Sequence, residues 1–104
     1  MSEKVAETLV SDRWETLSKE LKVAVRIYKL NEAGEIPYFS SLAKGLEESD
    51  GLSSTTVHNA LDHLIDLGTI KADWTKVDTR WVRRFIISGE SKDFIRKIAN
   101  ELYR

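Results

Sequence analysis

The spacing of hydrophobic residues changes once along this chain, from every third or fourth position to every second position. The first spacing is typical of helices and the second of strands. From Trp14 to about Leu30 the apolar positions cover a broad face, which predicts a buried helix that ends in the segment NEAG, 31–34. A short amphipathic stretch at about 3–12 precedes this helix and predicts a helical extension.

Two more helices are predicted before residue 69. The segment LAKGLEE has one apolar edge and either Ser40 or Ser41 as its N-cap, and the segment SDG at 49–51 predicts a turn after it. The third helix, about 53–67, begins with Ser53 as its cap, and Gly68 provides the left-handed residue that ends it. Its predicted buried stripe consists of Val57, Ala60, Leu61, Leu64, Ile65 and Leu67.

After Gly68 the pattern predicts a β-hairpin. The segments TIKADWTKV and TRWVRRFIIS are rich in β-branched and aromatic residues, and the segment KVDT at 76–79 predicts the tip between them. Side-chain alternation puts one set of residues of the second strand on one face, Trp81, Arg83, Phe85 and Ile87, and another set on the opposite face, Val82, Arg84 and Ile86.

A C-terminal helix at about 91–104 completes the predicted order. Ser91 is its expected cap, and its expected buried stripe is Phe94, Ile95, Ile98 and Leu102. A chain of 104 residues is large enough for one hydrophobic core and too small for two. The sequence therefore predicts a single domain over 1–104, of the α+β class and mostly helical.

The composition indicates the cellular compartment in which the protein is expected. The chain has no cysteine, which fits a reducing cytoplasm because disulfides and thiolate metal sites are excluded. Its apolar runs are only a few residues long, and the first residues carry acids throughout, so neither a signal peptide nor a membrane span is expected. We expect a cytoplasmic protein with no membrane partner.

The net charge of −1 hides an asymmetry. Residues 1–68 hold seven Lys and Arg against twelve Asp and Glu, a balance of −5, whereas residues 69–104 hold nine against five, a balance of +4. The third helix contains no Lys or Arg. The cations are therefore concentrated in the predicted hairpin and the C-terminal helix.

The order helix, short extended piece, helix, turn, helix, hairpin, helix resembles the winged helix-turn-helix domain. The resemblance lies in the segments FSSLAKGL, 39–46, LSSTTVHNALDHLIDLGTI, 52–70, and RWVRRFIISGESKDFIRKI, 80–98. The chain is similar to the MarR-like, PadR-like and HxlR-like transcriptional regulators. The resemblance implies a wing sheet of two to three antiparallel strands, a recognition helix at about 53–67 and additional terminal helices. The connection between Leu46 and Leu52 is expected to be longer than the tight turn of many such domains.

The resemblance also implies which residues meet DNA. Reading a duplex needs short polar groups for base edges and cations for phosphates. The candidates in the first half of the recognition helix are Ser53, Ser54, Thr55, Thr56, His58 and Asn59, and those in the wing at about 71–84 are Lys71, Lys76, Arg80, Arg83 and Arg84. Asn59 is the candidate for an adenine edge. The helix would position the protein on the duplex and contact the base edges, and the wing would attract the phosphates.

Simpler interpretations stand beside these assignments. The run Ser53 to Thr56 is typical of any capped helix start, and charge runs such as Arg83-Arg84 are usually solvated. Trp74 and Trp81 either stack on bases or stabilise the hairpin by cross-strand packing.

Catalysis and metal chemistry are not expected. The sequence has no Cys nucleophile, no Gly-rich phosphate loop and no His-Glu-x-x-His motif, and no cofactor site can be identified. His58 and His63 would lie about 140° apart around a helix, which prevents both from binding one metal ion.

The sequence predicts a sequence-specific regulator that binds double-stranded DNA as a homodimer. Dimerisation is expected because the terminal segments hold more apolar residues than one small core covers, including Val5 to Val10 and the residues Phe94, Ile95, Ile98, Leu102 and Tyr103. The alternative is an adaptor in which the winged helix contacts protein, which the net charge and the uncharged recognition helix favour. The sequence identifies no small-molecule effector.

Overall fold

The computed structural model describes residues 18–102. The helical extension predicted at about 3–12 and the last two residues of the predicted C-terminal helix lie outside the described residues. In chain order the elements are α1 (Lys19–Glu32), α2 (Phe39–Asp50), α3 (Ser54–Asp66), β1 (Ile70–Val77), β2 (Arg80–Ile87) and α4 (Lys92–Leu102). This is the order that the hydrophobic pattern predicts for this part of the chain.

Helix α1 lies at the centre of the fold and contacts α2, α3, α4 and β2. Ser18 is its N-cap, with a side chain that accepts a hydrogen bond from the Leu21 amide, so the described helix begins later than Trp14. The helix ends at Glu32, and Gly34 follows with a φ of 85°. Its fully buried residues are Val23, Ala24, Val25 and Ile27, with Tyr28 almost as well covered. Burial on nearly all sides explains why its apolar positions are so closely spaced.

Helices α2 and α3 form the helix-turn-helix unit. Neither serine is the N-cap of α2, contrary to prediction: the helix begins at Phe39, with Tyr38 as an N-cap that makes no side-chain bond. The Ser41 hydroxyl instead donates to the Tyr38 carbonyl. The helix continues to Asp50, and Gly51 ends it in the left-handed region with a φ of 67°. The turn is therefore short, and the long connection expected before Leu52 is not present.

Helix α3 is capped as predicted. The Ser53 side chain accepts a hydrogen bond from the Thr56 amide, and Gly68 adopts a φ of 77° beyond the helix end. The apolar stripe buries Val57, Ala60, Leu61 and Leu64. Leu67 was wrongly placed in this stripe, since its side chain is 65% exposed. It is the C-cap residue beyond the last helical residue and lies about 70° from the centre of the buried face.

Strands β1 and β2 form an antiparallel hairpin whose tip is the turn at Asp78 and Thr79. A third short extended piece joins it, because Tyr38 bridges to Arg84 and the Phe85 amide donates to the Pro37 carbonyl. The sheet therefore has two strands and one isolated bridge, as the two- to three-stranded wing predicts. Phe85 and Ile87 carry the base of the hairpin into the core.

Helix α4 returns to α1 and covers the far side of the core. Ile95 and Ala99 are buried and Ile98 is half-buried. Phe94 was predicted on this face, but its ring is 59% exposed because it lies about 100° around the helix from Ile95. Ala99 is buried instead, although the predicted stripe did not include it. No helix in residues 18–102 is long and apolar enough to cross a membrane.

The cap of α3 provides a stability test that is separate from ligand binding. We expect Ser53→Ala to lower the free energy of unfolding by about 1 kcal/mol, because the Thr56 amide loses its acceptor. Ser54→Ala is the matched control, since Ser54 is exposed and its substitution is expected to cost less than about 0.5 kcal/mol. Urea unfolding measures both. Equal losses in the two variants would contradict the assigned cap.

Candidate nucleic-acid interface

The first half of α3 presents polar side chains to solvent. Ser53, Ser54, Thr55, His58 and Asn59 are exposed, while Thr56 is partly covered. Helix periodicity places Val57, Ala60 and Leu61 on the opposite side, where they enter the core. The polar face therefore remains accessible to solvent, because the apolar stripe on the opposite side anchors the helix in the core.

Two of these hydroxyls are already engaged in the helix start. Ser53 Oγ accepts from the Thr56 amide at 3.2 Å and donates to Thr56 Oγ1 at 2.9 Å. The interpretation of the Ser/Thr run as a capped helix start is therefore correct for one pair of its residues. Ser53 and Thr56 form the cap, whereas Ser54 and Thr55 stand exposed at the first helical turn, where amides and a positive helix end favour phosphate.

His58 is held in place by two neighbours. Its Nδ1 lies 3.4 Å from Asp62 Oδ2, and its ring meets the Phe39 ring edge-on with centroids 5.8 Å apart. The side chain remains 58% exposed. Asn59 is exposed beside it. Phe39 is the first residue of α2, so this contact fixes how the start of α2 sits against the polar face of α3.

His63 belongs to the other end of α3. Its Nδ1 lies 3.4 Å from Glu20 Oε1 of α1. A backbone hydrogen bond lowers the pKa of Glu20, and His63 adds to that lowering. The two histidines thus pair with different carboxylates. Among residues 18–102 no group of three or more His, Asp and Glu side chains is arranged to hold a metal ion.

The register of the wing divides its side chains between two faces. Directly opposed pairs on the core-side face are Ala72 and Phe85, Trp74 and Arg83, and Lys76 and Trp81. Pairs on the other face are Lys71 and Ile86, Asp73 and Arg84, Thr75 and Val82, and Val77 and Arg80. Cations therefore occupy both faces, and Lys71, Lys76 and Arg80 are exposed.

The two adjacent arginines have different surroundings. Arg83 lies over the Trp74 ring at 5.7 Å and near the Phe85 ring at 5.5 Å. Arg84 lies 4.6 Å from the centre of the Tyr38 ring and donates from Nη2 to the Tyr38 hydroxyl at 2.9 Å. Arg84 is therefore half-buried and joins β2 to the start of α2, while Arg83 faces the aromatic side of the hairpin.

The start of α2 connects the polar face of α3 to the wing. Phe39 contacts His58 of α3, and Tyr38 contacts Arg84 of β2. A surface cleft of 340 Å³ lies between the start of α2 and the wing, lined by Tyr38, Phe39, Ser40, Trp74, Arg80, Trp81, Val82 and Arg83. The helix face, the helix start and the wing thus form one continuous surface, which we call the probe surface.

Sequence reasoning missed the part of this surface that α2 contributes. Tyr38, Phe39 and Ser40 were not among the predicted site residues. The contacts of Tyr38 with β2 and of Phe39 with α3 reveal their place, and Ser40 lines the same cleft. The one available signal was Pro37, because a proline before a helix predicts an extended residue that is able to pair with a strand. The sequence also did not indicate that both adjacent arginines contact aromatic rings, Arg84 with Tyr38 and Arg83 with Trp74.

Comparison with solved structures identifies the architecture. No protein-family model and no curated protein matches the chain. Pex from Synechococcus sp. is 32% identical, with 84% of this chain and 80% of that chain covered and a TM-score of 0.63. The circadian clock associated protein Pex from Anabaena is 25% identical, with 84% and 77% covered and a TM-score of 0.64.

A PadR family transcription regulator from Clostridium difficile shares the fold. It is 21% identical, with 76% of this chain and 84% of that chain covered and a TM-score of 0.63. The predicted architecture is therefore confirmed, and of the three similar groups the PadR-like one is supported. With its helix-turn-helix unit, its wing and its 32% identity to Pex from Synechococcus sp., the chain belongs to the same family as Pex and has the winged helix-turn-helix fold of a PadR family regulator.

Proposed function

We propose that this protein is a transcriptional regulator that binds double-stranded DNA in a sequence-specific manner. The observation that carries the proposal is the continuity of the probe surface, in which the exposed half of α3 and the cationic wing lie on either side of the start of α2. One duplex can contact both, because the major groove admits a helix while the adjacent phosphates or minor groove lie beside it. The PadR family transcription regulator that shares this fold supports the same class of function.

Helix α3 and the wing have different roles in this proposal because their charges differ. The side chains of α3 include no Lys or Arg, so the helix lacks the long-range pull that brings a protein to DNA. Strands β1 and β2 hold Lys71, Lys76, Arg80, Arg83 and Arg84 against Asp73 and, in the tip, Asp78. In this proposal the wing supplies most of the phosphate attraction, and Ser54, Thr55, His58 and Asn59 supply contacts within the groove. Arg84 acts indirectly, since its bond to Tyr38 holds the start of α2 against the wing.

The dimer is a separate part of the proposal. Ile95 and Ala99 of α4 are buried in the chain's own core, so they are not available to a partner. Phe94 of α4 and Leu67 beyond α3 remain exposed and line one largely apolar groove of 420 Å³ with Leu21 of α1. Two-fold dimers of this kind read half-sites about 34 Å apart, one helical turn of DNA, and we propose that the partner packs against this side. The side chain of Leu102 and all of Tyr103 lie outside the described residues.

Salt dependence tests the role of the wing. We expect affinity for random duplex DNA to fall steeply with salt, and Lys76→Ala or Arg80→Ala to reduce the slope of log affinity against log salt by about 0.9 each. Lys92→Ala is the matched control, because Lys92 of α4 pairs with Glu32 at 3.5 Å outside the probe surface. Fluorescence anisotropy at several salt concentrations measures the slopes. An equal loss of slope in the control, or no binding at low salt, would contradict the proposal, and no binding would favour the adaptor function.

Sequence preference tests the role of α3. We expect Asn59→Ala to relax the preference at one base position by about 1–3 kcal/mol, because a bidentate amide contact to adenine is lost. Asn100→Ala is the control, since Asn100 is an exposed amide on α4. Selection of bound fragments from a random duplex library measures the preference of both variants. An unchanged selected motif in Asn59→Ala would exclude Asn59 from base reading.

Light scattering tests the dimer. The native chain is expected to have twice the mass of one chain, and Phe94→Ser is expected to shift the equilibrium towards monomer because an exposed aromatic anchor is removed. Ile86→Ser is the control, since Ile86 is a partly exposed apolar residue of the wing. A native chain that stays monomeric at high concentration would overturn the proposed dimer.

A further inference from the structure

The wing carries two indole rings that the fold does not cover. Trp74 is 63% exposed and Trp81 is 61% exposed. They lie on the same face of the hairpin in neighbouring pairs of the register, Trp74 opposite Arg83 and Lys76 opposite Trp81. Arg83 lies over the Trp74 ring, but most of the surface of both rings stays in solvent and gains nothing from burial, which is the larger stabilising contribution of an aromatic side chain.

The surroundings of these rings favour an anionic ligand with a flat aromatic part. Both tryptophans line the 340 Å³ cleft beside the start of α2, together with the aromatic residues Tyr38 and Phe39 and the cationic residues Arg80 and Arg83. None of the described residues that line the cleft carries a carboxylate. The volume lies near the lower end of the range for small-molecule sites, about 300–1,000 Å³.

The start of α2 adds a second feature that favours an anion. Tyr38 is the N-cap and makes no side-chain cap bond, and the first turn of this 12-residue helix contains no acidic residue. Tyr38, Phe39 and Ser40 line the same cleft as Arg80 and Arg83, so the positive end of this helix lies beside the cleft. Stacking surfaces and phosphate-binding groups are thus brought together within one site.

A nucleotide whose base has left the stack fits this combination. Aromatic side chains stack on the flat faces of bases, and cations beside them track the phosphates. In an intact duplex these faces are covered by neighbouring bases and only the edges are open, so an indole cannot stack on them. The ligand must therefore present an unstacked base joined to a phosphate.

We infer that the cleft between the wing and the start of α2 binds an unstacked nucleotide of a DNA strand, with Trp74 and Trp81 as the stacking surfaces and Arg80 and Arg83 at its phosphate. This inference deepens the proposed function, on which it rests, because it assigns to the wing a ligand beyond the phosphates of a closed duplex. It predicts that the protein discriminates DNA with accessible bases from DNA without them.

Two single strands of equal length and charge separate stacking from charge attraction. The probes are oligothymidylate and the matching abasic deoxyribose phosphate strand, each labelled for fluorescence anisotropy. The native chain is expected to bind oligothymidylate about 5- to 150-fold more tightly than the abasic strand, the range for one stacked base. Equal affinity for the two strands would overturn the inference.

Substitutions at the two indoles locate the effect. In the double variant Trp74→Leu, Trp81→Leu the ratio of the two affinities is expected to fall towards one, whereas Trp74→Phe, Trp81→Phe is expected to keep most of it because the rings remain. A leucine variant that keeps the full ratio would overturn the inference. Both positions are exposed, so the variants are expected to keep the fold, which thermal melting checks.

Tryptophan emission gives an independent readout. The chain has three tryptophans, so in a Trp14→Phe background only Trp74 and Trp81 emit. Oligothymidylate is expected to quench this emission and the abasic strand to leave it nearly unchanged, and equal quenching would count against stacking. Titration with intact duplex in the same chains separates the two proposals. If the native chain shows no duplex binding but still prefers oligothymidylate to the abasic strand, the proposed function alone is overturned. If it binds duplex but shows no such preference, this inference alone is overturned.

Discussion

The pairing of the short extended piece at 37–38 with β2 determines how the parts of this fold are arranged. The Phe85 amide donates to the Pro37 carbonyl, and the Arg84 side chain covers and bonds to Tyr38. Because Tyr38 is also the N-cap of α2, this contact places the start of α2 directly beside the wing. The Phe39 contact with His58 then places the polar face of α3 next to it. Without this pairing Phe85 and Ile87 would still anchor the base of the hairpin in the core, but the start of α2 would lose its hydrogen bonds to β2.

Arg84 has a structural role that its neighbour does not share. Its Nε is buried without a hydrogen-bond partner among the described residues, while its Nη2 donates to the Tyr38 hydroxyl and its guanidinium lies over the Tyr38 ring. Arg83 keeps its charge at the aromatic side of the hairpin. Two adjacent residues of one type thus serve different purposes, because neighbours in a strand point to opposite faces. One arginine holds the probe surface together, and the other belongs to its ligand-facing side.

The charges of α3 and the wing differ in sign. Helix α3 has acids rather than cations near its C-terminal half, at Asp62 and Asp66. The cations are in the hairpin, where exposed side chains reach outward from a base anchored by Phe85 and Ile87. Such a separation explains how a chain with a net charge of −1 is able to present a cationic edge to a polyanion. It also brings the two exposed indoles to the same edge as the cations.

Local chemistry was sufficient to predict the elements. The spacing of apolar residues marked α1, α3 and both strands, Ser53 and Gly68 marked the ends of α3, and the order of elements indicated the winged helix-turn-helix fold. These signals are readable because caps, left-handed glycines and periodicity act within a few residues. The errors at Ser40, Leu67 and Phe94 have a common cause. Each concerns the edge of an element, where the neighbouring element decides which residue is covered.

Only the tertiary structure decided the composition of the candidate site. The sequence by itself determined that a polar helix start and a basic hairpin exist, and it named most of their exposed residues. It did not indicate that Tyr38 and Phe39 lie between them, nor that Arg84 is engaged while Trp74 and Trp81 stay in solvent. Those facts depend on contacts between residues 46 positions apart in the chain, such as Tyr38 and Arg84. No local pattern encodes such a contact, because it results from packing the extended piece and the wing around the same central helix.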